Sequence, residues 1–284
     1  MTDQENVVTN VAPPTVLTIA GSDSGGGAGI QADLRTFFAC GVHGMTAVTA
    51  VTVQNSLGVK DFTAIPPEVV AAQIEAVAGD IGVAAAKTGM LANAEIIEAI
   101  AQACDRVGIG RSLATPFVVD PVAASMHGDP LLHEKALDSL RNNLFPRATL
   151  VTPNLDEVRL LADVDVRTRD QLADAAIAIH AFGPQWTLIK SGHLSADTEC
   201  VDLLYDGTAF IELPGPRFDT PHTHGGGDTM ASAITSALAR GASVPEAVRF
   251  GKRFVSMSVR HAYPLGAGVG PVSPFWRLNS PIDD

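Results

Sequence analysis

Basic charge is in short supply. The chain carries 19 Lys and Arg against 31 Asp and Glu, a formal net charge of −12. Nucleic-acid binding needs a basic stripe, and an anionic membrane surface repels such a chain. Cysteine is also scarce. Cys40, Cys104 and Cys200 lie far apart with no CxxC pair, which excludes a disulfide framework and fits a reducing compartment. No run reaches the roughly 18 apolar residues of a membrane helix. The opening "MTDQENVVTNVAPPT" has neither a basic nor an apolar signal region. Residues 1–14 are expected to be a disordered tail, and the protein to be cytoplasmic. Aromatics make up only 5%, so a core must come from Ala, Val, Ile and Leu.

That material is present, since 46% of residues are hydrophobic. It is arranged in short runs that alternate with helical patterns. Apolar runs at 16–20, 45–54, 60–65, 83–87, 116–120, 148–152 and 186–190 read as strands. Helical periodicity separates them. After Gly29 it places Ile30, Leu34, Phe37 and Phe38 on one face, with Gly41 beyond the end. "PLLHEKALDSLRNNLF" reads as a further helix. "CVDLLYDG" and "TAFIEL" read as a hairpin through Asp206-Gly207. Two helices, about 229–240 and 244–261, close the chain. Strand–helix alternation without a linker predicts one α/β domain over 15–284, with a mainly parallel sheet covered on both faces. Ligands in such folds sit at the carboxyl ends of the strands.

The loops after the strands therefore carry the argument. "GSDSGGGAGIQAD" (21–33) is richer in glycine than a turn requires, which fits close approach of a ligand to the backbone. It breaks the GxGxxG spacing, and no GxxxxGK[ST] occurs anywhere. Gln54 offers one acceptor and two donors, the complement of an amino-substituted ring nitrogen; it serves equally as a loop cap. Met90 in "KTGML" fits a ligand wall or the core. Asp120 ends a strand, as helix cap or metal ligand. Asn154 and Glu157, three apart at a helix start, can organise Mg²⁺ through its waters or form a capping box. Lys190 in "KSGH" can meet a phosphate or simply solvent.

"HTHGGGDT" (222–229) is the most pointed stretch. Gly225, Gly226 and Gly227 precede a helix, where backbone amides and the helix dipole form an anion site. Asp228 would repel that anion unless it caps the helix or serves as a base toward an attacking hydroxyl. The amides would then hold charge developing on a transferred phosphoryl group.

Taken in order, "TIAGSDSGGGAGIQADL", "KTGML", "VVDPV", "GDPLL", "TPNLDE", "KSGH", "THGGGDT" and "GVGPV" resemble the hydroxymethylpyrimidine/phosphomethylpyrimidine kinases of the ribokinase-like superfamily, over roughly residues 15 to 275. The resemblance implies a three-layer αβα sandwich, ATP with Mg²⁺, and two successive phosphorylations in thiamin synthesis. It assigns Asp33, Gln54, Met90 and Val122 to the pyrimidine pocket. Asp120, Asn154 and Glu157 fall to Mg²⁺ and phosphates. Lys190, Gly192 and Thr223 fall to ATP, Gly225 to Gly227 to the anion hole, and Asp228 to catalysis. It also implies a homodimer. Three positions depart from the family: Asp228 replaces a usual Cys, Met126 a lysine, and Ala267 a frequent basic residue. Asp is the usual base in sugar kinases and many pyridoxal kinases of the superfamily, so a pyridoxal or pyridoxine kinase is the alternative. A non-catalytic ligand-binding relative is the remaining one.

Overall fold

The protein is described from a computed structural model covering residues 11–111, 113–123, 132–192, 194 and 199–278. Most of the expected tail, and Met126, lie outside these residues. The chain runs β1 (Thr15–Ser22), α1 (Gly29–Ala39), β2 (His43–Asn55), β3 (Gly58–Ala64), α2 (Pro67–Asp80), β4 (Ala85–Thr88), α3 (Ala94–Val107) and β5 (Phe117–Val119). It continues through α4 (Glu134–Ser139), β6 (Leu150–Val151), α5 (Leu155–Ala162), α6 (Leu172–His180) and β7 (Trp186–Ile189). It ends with β8 (Asp202–Tyr205), β9 (Phe210–Leu213), α7 (Gly226–Ala239) and α8 (Val244–Arg260).

Among the described residues these strands form one nine-stranded sheet, ordered β3-β2-β1-β4-β5-β6-β7-β8-β9. The pairs from β2 across to β7 are parallel, and both edges are antiparallel. Neighbouring side chains of a strand face opposite ways, and here both ways are apolar. Phe117, Val119, Val151 and Ile189 join a core with α2 to α6. Ala85, Val118, Leu150 and Leu188 join a second core with α7 and α8. That is the expected three-layer αβα sandwich, because a parallel sheet must be covered on both faces. The order switches direction at β1, where the following loops diverge and open a crevice.

Three local expectations are corrected. α1 buries Ala32, Asp33, Thr36 and Phe37, while Leu34 and Phe38 face outward, Phe38 with 71% of its surface exposed. The polar Asp33 and Thr36, not two of the periodic apolar residues, meet the core. β2 does not stop at Gln54: it pairs antiparallel with β3 through Asn55, past an irregularity at Val53/Gln54, so Gln54 lies in a two-stranded ribbon. The expected helix at the start of the 130s is α-helical only over Glu134–Ser139, and passes into a wider turn at Leu140–Leu144 before Pro146. A proline forbids the regular helical hydrogen bond at its own nitrogen.

Candidate active site

Asp120 and Lys190 immediately follow β5 and β7, and Asn154 comes three residues after β6, bridged to Lys190, so the parallel sheet brings them to one edge. Lys190 Nζ lies 2.8 Å from Asp120 Oδ1, which also accepts from the Thr152 hydroxyl at 2.8 Å. Burial works against the Lys190 charge, but Asp120 and Glu157 outweigh it and keep the ammonium. The start of α7 faces this pair. A Cβ at Gly227 would stand 3.4 Å from Lys190 Nζ and 3.6 Å from Asp120 Oδ2. A side chain there would crowd the space between helix and carboxylate.

The helix cap of α7 is Gly225, at φ +74°, with no side-chain cap. Its backbone also passes tightly under the first loop: a Cβ would come 2.0 Å from the Gly27 carbonyl oxygen. The amide of Gly226 is spent on the Thr223 carbonyl at 3.1 Å. Asp228 sits in the first turn and does not cap it. Its Oδ1 lies 3.4 Å from Lys87 Nζ, and its Oδ2 accepts from the Gly29 amide at 3.3 Å. Its side chain keeps 14% exposure. A Cβ at Gly89 would be 3.6 Å from Asp228 Oδ1, so the segment leading into Met90 abuts the same carboxylate.

Lys87 lies against Asp228 and was not singled out from the sequence. It lies within β4, one residue before its end, with no exposed surface, and its Nζ meets both Asp33 oxygens at 2.9 and 3.0 Å. Asp33 also accepts from Thr18 and Ser232, each at 2.6 Å. Burial opposes the lysine's charge, yet Asp33 and Asp228 hold its pKa above the ordinary range. Burial pushes Asp33 up to about 6 against the pull of Lys87. Asp33, assigned to a pocket wall, thus has its oxygens engaged beneath the surface, in support of Lys87. The available signal was a lysine ending a run of buried alanines.

The first loop is organised by a second missed residue. Asp23 accepts from the amides of Gly25, Gly27 and Ala28 at 2.8, 2.9 and 2.8 Å. His224 Nε2 adds a contact at 2.9 Å. Burial acts to raise the Asp23 pKa, but His224 and the amides hold it below the usual carboxylate range. Those amides, read from sequence as open to a ligand, are committed to Asp23. The loop's glycine content has a packing cause too, since a Cβ at Gly27 would strike the His224 ring at 2.2 Å.

Asn154 and Glu157 form a reciprocal capping box: the Asn154 side chain accepts from the Glu157 amide at 2.9 Å, and the Glu157 carboxylate from the Asn154 amide at 2.7 Å. Burial, with Asp120 nearby, pushes Glu157 up to about 8. Among the described residues no group of three His, Cys, Asp or Glu could enclose a metal. The donor set fits Mg²⁺ in the manner of a nucleotide site, where one or two carboxylates act with phosphate oxygens and water.

The remaining assigned residues lie around this centre. The Met90 carbonyl accepts from Gly21 and Thr49, which seats Met90 beside the crevice. Val122 donates its amide to the Asp120 carbonyl. Gln54 is tied to the first loop through Ser24 Oγ, which its amide meets at 2.9 Å. Thr223 and Gly192 are exposed at the rim. The segment containing Ala267 crosses between the ribbon and the α7 entrance: Val269 donates to the Ser56 carbonyl, and His224 to that of Gly270.

A family model described as phosphomethylpyrimidine kinase matches residues 23–273. A hydroxymethylpyrimidine/phosphomethylpyrimidine kinase of Mycobacterium tuberculosis is 59% identical over 269 residues, 95% of this chain and 96% of that protein. The protein of the same name from Bacillus subtilis is 42% identical, over 93% of this chain and 96% of its own. Among solved structures, an ADP complex of Bacillus subtilis pyridoxal kinase superposes with a TM-score of 0.85 at 38% identity, covering 94% of this chain and all of that one (100%). A phosphomethylpyrimidine kinase from Clostridium difficile gives 0.75 at 37%, over 86% of this chain and 99% of its own. A family match over most of the chain, and near-complete alignment with named kinases, lead to one conclusion: the chain belongs to the phosphomethylpyrimidine kinase family.

Proposed function

We propose that the chain is an ATP-dependent kinase acting on the hydroxymethyl group of 4-amino-5-hydroxymethyl-2-methylpyrimidine, and then on its monophosphate, to give the diphosphate for thiamin synthesis. The observation that carries the chemistry is Asp228, a carboxylate in the first turn of α7 that caps nothing and lies beside a buried lysine. In this reading Asp228 takes the proton of the acceptor hydroxyl. The amides of Gly225 and Gly227 hold the charge that develops on the phosphoryl group, since Gly226 is occupied. Lys190 meets the phosphates, with Gly192 and Thr223 at the nucleotide rim. Mg²⁺ neutralises the phosphate charge when bound. Asp120 and Glu157 would hold it, with Asn154 fixing Glu157. Gln54, Met90 and Val122 line the acceptor pocket, Gln54 reading the ring nitrogen and amino group, while Asp33 holds Lys87 in place behind it. No helix among the described residues is long and apolar enough to cross a membrane. The protein works in the cytoplasm as a homodimer.

The test is product analysis with ATP, Mg²⁺ and either pyrimidine. Formation of monophosphate and diphosphate supports the reading, and no turnover of either acceptor rejects it. One observation favours a second reading, pyridoxal phosphorylation: the superposition on a pyridoxal kinase at a TM-score of 0.85.

A further inference from the structure

Behind the turn that carries Lys190 lies a polar cluster that phosphoryl transfer does not use. Lys252, in α8, is buried to 6% exposure. Its Nζ lies 2.7 Å from Asp202 Oδ2 and 3.2 Å from Cys200 Sγ. Asp202 Oδ1 accepts from the Ser191 amide at 2.9 Å, and Ser191 Oγ is 3.9 Å from the sulfur. The Cys200 amide is fixed to the Gly215 carbonyl at 2.9 Å. Gly215 also leaves the lysine its path, because a Cβ there would stand 2.7 Å from Lys252 Cε. Amine and thiol are therefore held in contact from two different elements.

The other thiols are not comparable. Cys40 and Cys104 are buried, and burial pushes them up to about 11 and about 12. Cys200 alone of the three is partly exposed, so a dissolved oxidant reaches it first. Oxidised thiols condense with a neighbouring nitrogen to give a sulfur–nitrogen bond.

We propose that Cys200 and Lys252 form a reversible covalent link when the protein meets hydrogen peroxide. The sulfur attacks peroxide. An S–O bond forms, the O–O bond breaks, and one water leaves, giving a sulfenic acid. Lys252 passes a proton to Asp202, and its amine attacks the sulfur. The S–N bond forms as the S–O bond breaks, and the departing oxygen leaves as a second water with one of the amine's two protons, the other staying on the linked nitrogen. Sulfur has lost two electrons, and one peroxide has become two waters. A thiol reductant reverses the step by attacking sulfur and releasing the amine. The link ties α8 to the entrance of β8 and takes the cation from Asp202, which also holds the Ser191 amide beside Lys190.

The experiment is peroxide treatment of the full-length protein, digestion without reductant, and peptide mass spectrometry. The expected result is a joined pair of peptides, one with Cys200 and one with Lys252, lighter by two hydrogens than their sum. Dithiothreitol should return both free peptides. The pair should be lost in Cys200→Ser and in Lys252→Arg. Should the arginine variant fail to fold, the wild-type mass and the serine variant decide alone. Cys200 found as a lasting sulfenic acid trapped by dimedone, or carried on to sulfinic acid while Lys252 stays free, would overturn the proposal.

Discussion

Asp228, the proposed base, and Lys87, its buried neighbour, are the residues to test first. Replacing Asp228 by Asn keeps size and polarity but removes the proton acceptor. The expected outcome is near-normal ligand binding by calorimetry with kcat lower by roughly 10² or more, the scale of lost general-base catalysis. An unchanged kcat would remove Asp228 from that role. Lys87 is a different kind of residue, because its partner Asp33 has no access to water. Lys87→Met should lower stability by about 3–5 kcal/mol, the cost of stranding a buried charge. Adding Asp33→Asn should recover part of that loss in denaturant unfolding. Equal stability of the single and double variants would contradict the pairing. Neither Lys87 nor Asp23 stood out in sequence, since their importance comes from partners far away along the chain: Lys87 to Asp33 and Asp228, Asp23 to His224.

At the scale of elements, the first loop and the start of α7 form one unit. Gly225→Ala would place a methyl group against the Gly27 carbonyl, in a backbone conformation that itself costs about 1–3 kcal/mol for a non-glycine residue. Thermal unfolding should show a clear fall in Tm, with kcat reduced as well. An alanine variant as stable as wild type would mean the two segments are not in contact. The Asp23 hub adds a pH signature. Its folded pKa is depressed, so its stabilisation is present above the ordinary carboxylate value of about 4 and is lost as pH falls through the lower folded value. Asp23→Asn should therefore be less stable by about 1–3 kcal/mol near neutrality. That gap should narrow as pH falls from about 4 toward the lower folded value, at which the wild-type carboxylate takes its proton. A gap constant across that range would show that the charge is irrelevant. These elements also mark what sequence could reveal. The alternation of strands and helices, the hairpin at Asp206-Gly207 and the glycine helix entrance were all legible, because each is set by local pattern. The outward face of α1 was not. Periodicity grouped Leu34 and Phe38 with Phe37, but the buried face is chosen by what α1 packs against: Phe37 meets Val16 and Val42, and Asp33 meets Lys87.

At the scale of the whole molecule, one sheet with two apolar faces gathers residues from four elements at one edge. Asp120, Lys190, Gly227, Asp228 and Lys87 meet there from β5, β7, α7 and β4. Motif order alone identified most of this group, because the fold places the carboxyl ends of parallel strands side by side. The acceptor is read less directly. A chain 59% identical to a pyrimidine kinase superposes closely on a pyridoxal kinase and carries an acid at position 228. The most direct measurement is kcat/KM of the purified protein, with saturating ATP and Mg²⁺, for 4-amino-5-hydroxymethyl-2-methylpyrimidine and for pyridoxal side by side. The account predicts a clear preference for the pyrimidine, tenfold or more, which corresponds to about 1.4 kcal/mol of differential transition-state binding. A preference of that size for pyridoxal would contradict it.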